Sequence, residues 1–266
     1  PEPNHGSIAT GQSHTINSEQ LANLIPPSIN TEKLYMMEFP EVNDASAYGV
    51  LKPEATEELF NNLENGTAII SYIGHGSPYQ LAQEKLLDLN RGDINQINTG
   101  TKLPLWIVGT CSFGWFDDPL NESFSEQLIK ADMNCASMVI STTRAISVVG
   151  NERYTKNLFE EIFDNGKVSN QTVGTILQSI KDGTSESQYF HLFGDPGMKI
   201  PMPKDTVLLL TLSPDTLRTL DKGTFNGNQM TIAEYGDGYV SLLDADRYVV
   251  RNYDILSETY SISCLL

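Results

Sequence analysis

The chain has 266 residues, 39% of them hydrophobic and 9% aromatic, which is enough apolar material for a buried core and excludes a disordered polymer. Its 17 basic residues against 34 acidic ones give a formal charge of -17, so phosphate backbones and anionic membrane surfaces are unsuitable partners and nucleic-acid binding is set aside. The three cysteines, Cys111, Cys135 and Cys264, are too few for a disulfide framework and lack CxxC spacing, so no structural metal is expected.

No apolar run approaches the ~20 residues that span a bilayer, and residues 1–20 lack the basic-then-apolar layout of a signal peptide. The chain is therefore expected not to be membrane-spanning. Residues 33–39 (KLYMMEF) are the first short apolar run bounded by turn residues and predict a strand. Residues 53–64 place Leu59, Phe60 and Leu63 on one helical face, with Pro53 at the first turn and Gly66 just past the end. Residues 67–73 (TAIISYI) and 103–109 (LPLWIVG) predict the next strands.

Ser123 with Glu126 forms a capping-box signature ahead of the stripe Phe124, Leu128 and Ala131. Residues 136–142 (ASMVIST) predict a further strand. Asn151 is suited to cap a helix that buries Tyr154, Leu158 and Ile162 and closes at Gly166. Ser169 is suited to open another, burying Val173, Ile176, Leu177 and Ile180 before Gly183. Strands apolar on both faces that alternate with helices predict an α/β domain of three layers, α/β/α, around a mostly parallel sheet, over residues 1–203. Beyond Pro203 the helical patterns stop. The runs 206–212, 224–233, 238–243, 247–253 and 259–265 predict short strands, so residues 204–266 read as a β-rich module, short against the ~100 residues of a typical sandwich.

Two of the strands run into glycine-flanked reactive residues: Gly74-His75-Gly76 after one and Gly109-Thr110-Cys111 after the other. In an open parallel sheet, ligands bind outside the carboxyl ends of the strands, where both residues would project if the strands are neighbours. A free thiol with a pKa near 8.5 carries little thiolate at neutral pH. An adjacent imidazole removes that proton and later protonates the leaving amine. This assigns Cys111 as nucleophile and His75 as acid/base. Glycines let a substrate backbone approach and free main-chain N–H groups for a developing oxyanion, and those of Gly76 and Cys111 are the candidates. Cys135 and Cys264 lack that setting and are assigned to structure.

Other residues carry two readings each. Asp117, Asp118, Asn121 and Glu122 could hold calcium, or form a solvated loop ahead of a helix N-terminus. Trp115 and Phe116 line a substrate subsite or join the core. Thr142, Thr143 and Arg144 end a strand facing the same crevice, where Arg144 meets either a substrate carboxylate or a surface ion-pair partner. No GxSxG elbow is present, which counts against a serine hydrolase. The rival from another class is a non-catalytic surface scaffold or adhesion module on a degraded peptidase fold.

The segments SYIGHGSP, LPLWIVGTCSFGWFDDP, ASMVISTTRA and YFHLFGDP resemble the gingipain-type family of caspase-like cysteine peptidases, most of all its PorU-type, sortase-like signal peptidases of the type IX secretion system. The resemblance covers residues 14–203 in ordered blocks, with the His-Gly and Cys pair as its most specific part. It implies a cysteine endopeptidase or transpeptidase with His75 and Cys111 as the dyad and no required cofactor. It also implies polypeptide substrates, type IX secretion components as partners, and an extracellular or outer-membrane, cell-surface location in a bacterium. It makes the Gly194-Asp195-Pro196 turn structural and the tail an immunoglobulin-like segment. The family's catalytic domain has further strands before the one matching 33–39, so a partial sheet, without an acidic residue behind the histidine, is expected.

Overall fold

The computed structural model describes residues 8–26, 29–43, 50–131 and 135–202, with the backbone alone for 8–13, and from there on the backbones of five strands. In chain order these carry α1 (Ile8–Ala22), β1 (Val42–Asn43), β2 (Val50–Leu51), α2 (Pro53–Asn65), β3 (Ile69–Ile73), β4 (Gly76–Ser77), β5 (Gln80–Leu81) and β6 (Leu87–Asp88). β7 (Leu105–Gly109), α3 (Phe124–Lys130), β8 (Met138–Thr142), α4 (Val148–Ile162), α5 (Val173–Ile180), α6 (Ser185–Tyr189) and β9 (Phe190–Phe193) follow. The tail strands are β10 (Val207–Ser213), β11 (Lys222–Gln229), β12 (Gly238–Leu243), β13 (Val249–Ile255) and β14 (Thr259–Leu265).

The residues up to Pro201, apart from 30–33, form one compact unit. Its centre is a four-stranded sheet in the order β3-β7-β8-β9. β3, β7 and β8 run parallel, while β9 is antiparallel to β8, pairing Thr142 with Phe190. Strand alternation sends Trp106 and Val108 to one face, where they pack with Leu63 of α2, Phe124 and Leu128 of α3 and Val139 of β8. On the opposite face α4 covers β7, its Asn151 and Thr155 standing against Gly109. This is the three-layer arrangement expected of strands apolar on both faces. Trp106 is wholly buried and its indole N–H donates to the Cys135 carbonyl at 2.9 Å, so the largest core side chain has its polar atom satisfied.

The helix signals have mixed outcomes. α2 begins on Pro53 and ends at Gly66, whose φ of 103° only glycine adopts readily. The capping box of α3 is present in both directions, between the Ser123 side chain and the Glu126 N–H and between the Glu126 side chain and the Ser123 N–H. α4 starts four residues earlier than a cap at Asn151 would place it, because Ser147 is the cap and accepts from Gly150 N. Thr172 rather than Ser169 caps α5, accepting from Thr175 N. Residues 33–39 are not a strand: Met36–Glu38 is a single 3-10 turn. Leu34, Met36 and Phe39 pack on the core as side chains, which satisfies the apolar pattern without a ladder.

The strands from β10 onward belong to a second compact unit. β10-β11-β14 form one antiparallel sheet and β12-β13 a two-stranded one. Asn226-Gly227, a turn signal in the sequence, lies inside β11 opposite Ser261 and Tyr260, and the β10 register shifts beside it between Leu209 and Thr211. The ends of the expected runs at 206, 230–233 and 247–248 lie outside the described residues.

Candidate active site

β3 and β7 pair from Ile69 with Leu105 to Ile73 with Gly109, so His75 and Cys111 each stand two residues beyond the last pair of two adjacent parallel strands. Gly74 N extends the contact to Gly109 O at 3.5 Å, and the two chains leave the sheet side by side. After Gly76 the chain turns back through β4 and β5, and Ala82 N donates to His75 O at 2.9 Å. The Tyr72 hydroxyl donates to the same carbonyl at 2.7 Å, which fixes the His75 backbone while its imidazole stays exposed. Since His75 and Ala82 form a hydrogen-bonded position, Gly76 opposite Leu81 is the alternate position, with its N–H turned away from β5. A side chain at Gly76 would put Cβ 2.7 Å from Thr110 Oγ1 and 2.8 Å from Thr110 Cγ2. Glycine there is what lets the histidine turn lie against the residue before the cysteine.

The cysteine loop is stitched to the end of β8. Thr142 Oγ1 donates to Thr110 O and accepts from Ser112 N at 3.0 Å. Ser112 N also reaches Arg144 O at 3.3 Å, and Gly114 N donates to Thr142 O at 2.8 Å. Ser112 has φ 56°, the left-handed region that is unfavourable for a side-chain-bearing residue, so these contacts hold a strained turn around the cysteine. Cys111 is half-buried and its thiol donates to Ile146 O at 3.7 Å. Behind the loop, Asn151 Nδ2 donates to Gly109 O at 2.7 Å, tying the end of β7 to α4.

The sequence model of peptidase family C25 matches residues 4–201. The chain belongs to peptidase family C25. Among solved structures, the Arg-specific cysteine proteinase gingipain R matches with a TM-score of 0.48 at 16% identity, over 79% of this chain and 49% of that one. The complex of Porphyromonas gingivalis RgpB pro- and mature domains matches with a TM-score of 0.46 at 18% identity, over 79% and 50%. A structure described as a protease matches with a TM-score of 0.46 at 14% identity, over 78% and 56%. The chain thus spans about half the length of the solved chains it matches. No curated protein sequence matches it. No helix among the described residues is long and apolar enough to cross a membrane.

Around His75 and Cys111 of this family C25 chain the remaining residues sort by contact. Thr143, expected to face the crevice, is instead 4% exposed, with its hydroxyl on Tyr189 O at 3.3 Å, because the chain turns there from β8 toward the end of α6. Arg144 is exposed and forms a two-point ion pair with Asp117, Nη1 to Oδ1 at 3.0 Å and Nη2 to Oδ2 at 2.5 Å. That hydrogen bond from Arg144 holds the Asp117 carboxyl below its ordinary pKa, and the guanidinium is raised in turn. Trp115 and Phe116 are 41% and 49% exposed, and the Phe116 ring stands against His191 and Phe193. They are a shelf after the cysteine rather than core.

The acidic residues near Asp117 have partners of their own. Asp118 accepts from Leu120 N, Asn121 Nδ2 and Tyr79 OH, and Glu122 pairs with Lys130. Among the described residues no three His, Cys, Asp or Glu side chains are grouped to hold a metal ion. Cys135 is buried, and burial pushes its thiol up to about 11. The side chain of Cys264 lies outside the described residues, as does His5.

The contacts of three residues at the site escape sequence reasoning, although Thr142 is read there at the crevice and Asn151 as a helix cap. Thr142 and Asn151 act through hydrogen bonds to distant backbone, which no local pattern marks. His14 of α1 is 7% exposed with its ring 5.4 Å from that of His75, and burial, with the charge of His75 second, lowers its pKa. A helix lacking an apolar stripe gave no reason to bring it there.

Proposed function

We propose that the chain is a cysteine endopeptidase or transpeptidase in which Cys111 attacks the scissile carbonyl and His75 carries the proton. The observation that carries this reading is the register of β3 and β7, which sets both residues at the same level beyond adjacent strand ends. In the first step the thiol proton passes to His75, the sulfur bonds to the carbonyl carbon, and the carbonyl electron pair moves onto oxygen. The N–H groups of Gly76 and Cys111 face that oxygen. Collapse of the intermediate breaks the C–N bond, and His75 returns the proton to the leaving amine, leaving a thioester. Water releases the acyl group in hydrolysis and an amine releases it in transpeptidation.

Trp115 with Phe116 offers an apolar surface for substrate side chains, and Arg144 with Asp117 a charged one. The resemblance to PorU-type members supports removal of C-terminal secretion signals from exported proteins, at the bacterial surface and alongside type IX secretion components. It also supports reading the β-rich tail as an immunoglobulin-like segment. The competing scaffold or adhesion role predicts no dependence on either reactive residue.

The deciding experiment is hydrolysis of a peptide pool by the intact protein and its variants from pH 6 to 9.5, with thermal melts as folding control. Cys111→Ala abolishes turnover at every pH. His75→Ala is severely impaired and recovers partly in alkaline buffer, where solvent supplies thiolate. Cys135→Ala and Cys264→Ala keep most of the activity. Full activity in folded Cys111→Ala would refute the proposal.

A further inference from the structure

We propose that Thr142 is a positioning residue that aims the Cys111 N–H into the oxyanion site by holding the Thr110 carbonyl. The inference rests on the cysteine-peptidase reading above. It starts from the planarity of the peptide bond between Thr110 and Cys111: in a trans peptide the C=O and the N–H point in opposite directions. Thr142 Oγ1 donates to Thr110 O, so that carbonyl is directed to the end of β8. β7 lies between β8 and β3 in the sheet, so the Cys111 N–H is directed to the β3 side. That is the side where Gly76 lies against the Thr110 side chain. One buried hydroxyl therefore turns the Cys111 N–H toward the side on which Gly76 lies.

The same hydroxyl accepts from Ser112 N at 3.0 Å, which uses its single proton and an acceptor lone pair on the two backbone groups that flank Cys111. Thr142 is wholly buried, so water does not compete for either bond. Ser112 at φ 56° sits in an unfavourable region that a free loop would leave, and leaving it turns the neighbouring peptides. Thr142 thus works through backbone direction, its hydroxyl being engaged by Thr110 O and Ser112 N.

The test compares two reactions of the same thiol in the intact protein. Iodoacetamide alkylates sulfur by displacement of iodide and forms no oxyanion. With p-nitrophenyl acetate the sulfur bonds to the acetyl carbon through an oxyanion, the bond to p-nitrophenolate breaks with its electron pair, and the thiol proton goes to His75. Cys111→Ala supplies the background for both. We expect Thr142→Val to lower the ratio of acetylation to alkylation rate by about 10²-fold, the usual cost of losing one oxyanion donor. Thr142→Ser, which keeps the hydroxyl, restores the ratio. Thr142→Ala, read where melts show it folded, gives the same loss should the valine variant unfold. An unchanged ratio in Thr142→Val, or equal slowing of both reactions, overturns the inference and leaves the peptidase reading intact. A folded native protein whose Cys111 is alkylated yet acetylated no faster than Cys111→Ala removes the peptidase reading and the inference together.

Discussion

The ring of His14 stands edge-on to the ring of His75, with centroids 5.4 Å apart and planes at 81°. His14 is nearly buried, and among the described residues neither of its ring nitrogens has a hydrogen-bond partner. Burial, then the nearby charge of His75, lowers its pKa below the ordinary 6.5, so the unfolded chain binds this proton more tightly than the fold does. The stability that neutral His14 permits is complete above about pH 6.5 and is lost as the pH falls toward the folded-state value. His14→Phe keeps a ring and removes the titration. Thermal melts from pH 5 to 8 should show a smaller acid-side drop in Tm for the variant, at ~2–4 °C per kcal/mol in a chain of this size. Parallel Tm profiles would show that His14 does not carry the dependence.

Gly76→Ala tests the contact between the histidine turn and the cysteine loop. The added methyl meets Thr110 Oγ1 at 2.7 Å and Gln80 O at 3.2 Å, so the turn must shift away from β7. Overpacking of this kind costs about 1–3 kcal/mol. Turnover should fall by more than the stability loss explains, because the shift separates His75 from Cys111 as well as moving the Gly76 N–H. Urea unfolding and peptide hydrolysis measured on the same sample separate the two effects, and wild-type values in both would show that the turn has room.

The thiols should separate cleanly under alkylation. Cys135 is 1% exposed, donates to Ile94 O at 3.6 Å and has its pKa raised to about 11, whereas Cys111 is half-buried at a loop. At pH 8 the native protein should lose Cys111 to iodoacetamide ~10²-fold faster than Cys135, since only thiolate reacts. Peptide mapping by mass spectrometry reads both sites, and comparable labelling would contradict the burial of Cys135.

Asn151→Ala removes the amide that donates to Gly109 O from α4. The carbonyl is left in a buried setting, and the loss is about 1–3 kcal/mol. The expected signature is a lower urea midpoint with turnover per folded molecule also reduced, because Gly109 is the last paired residue before the cysteine loop. Stability within error of wild type would mean that solvent reaches the carbonyl.

Sequence reasoning reached those parts of the site where local pattern and chemistry coincide. His75 and Cys111 follow apolar strands and sit among glycines, and a cap such as Ser123 with Glu126 is read within four residues. It failed where a distant partner decides. Asn151 has the residue type of a helix cap, yet it lies inside α4 because Ser147 captures the orphan N–H first and Gly109 offers a buried carbonyl. Thr143 has the position of a cleft residue, yet its N–H and hydroxyl both go to Tyr189 O. Residues 33–39 have the composition of a strand, yet Met36–Glu38 turns as a 3-10 helix.

By itself, then, the sequence determined which strands are apolar on both faces, that His75 and Cys111 follow two of them, and which glycines punctuate them, since each is a short-range consequence of residue type. Only the tertiary structure decided the register of Ile73 with Gly109, the burial of His14 against His75 and the two bonds of Thr142 across the Cys111 turn. Those depend on hydrogen-bond partners at least thirty residues away for Thr142, and on which backbone groups remain unpaired once the sheet has formed, a condition that no window of sequence contains.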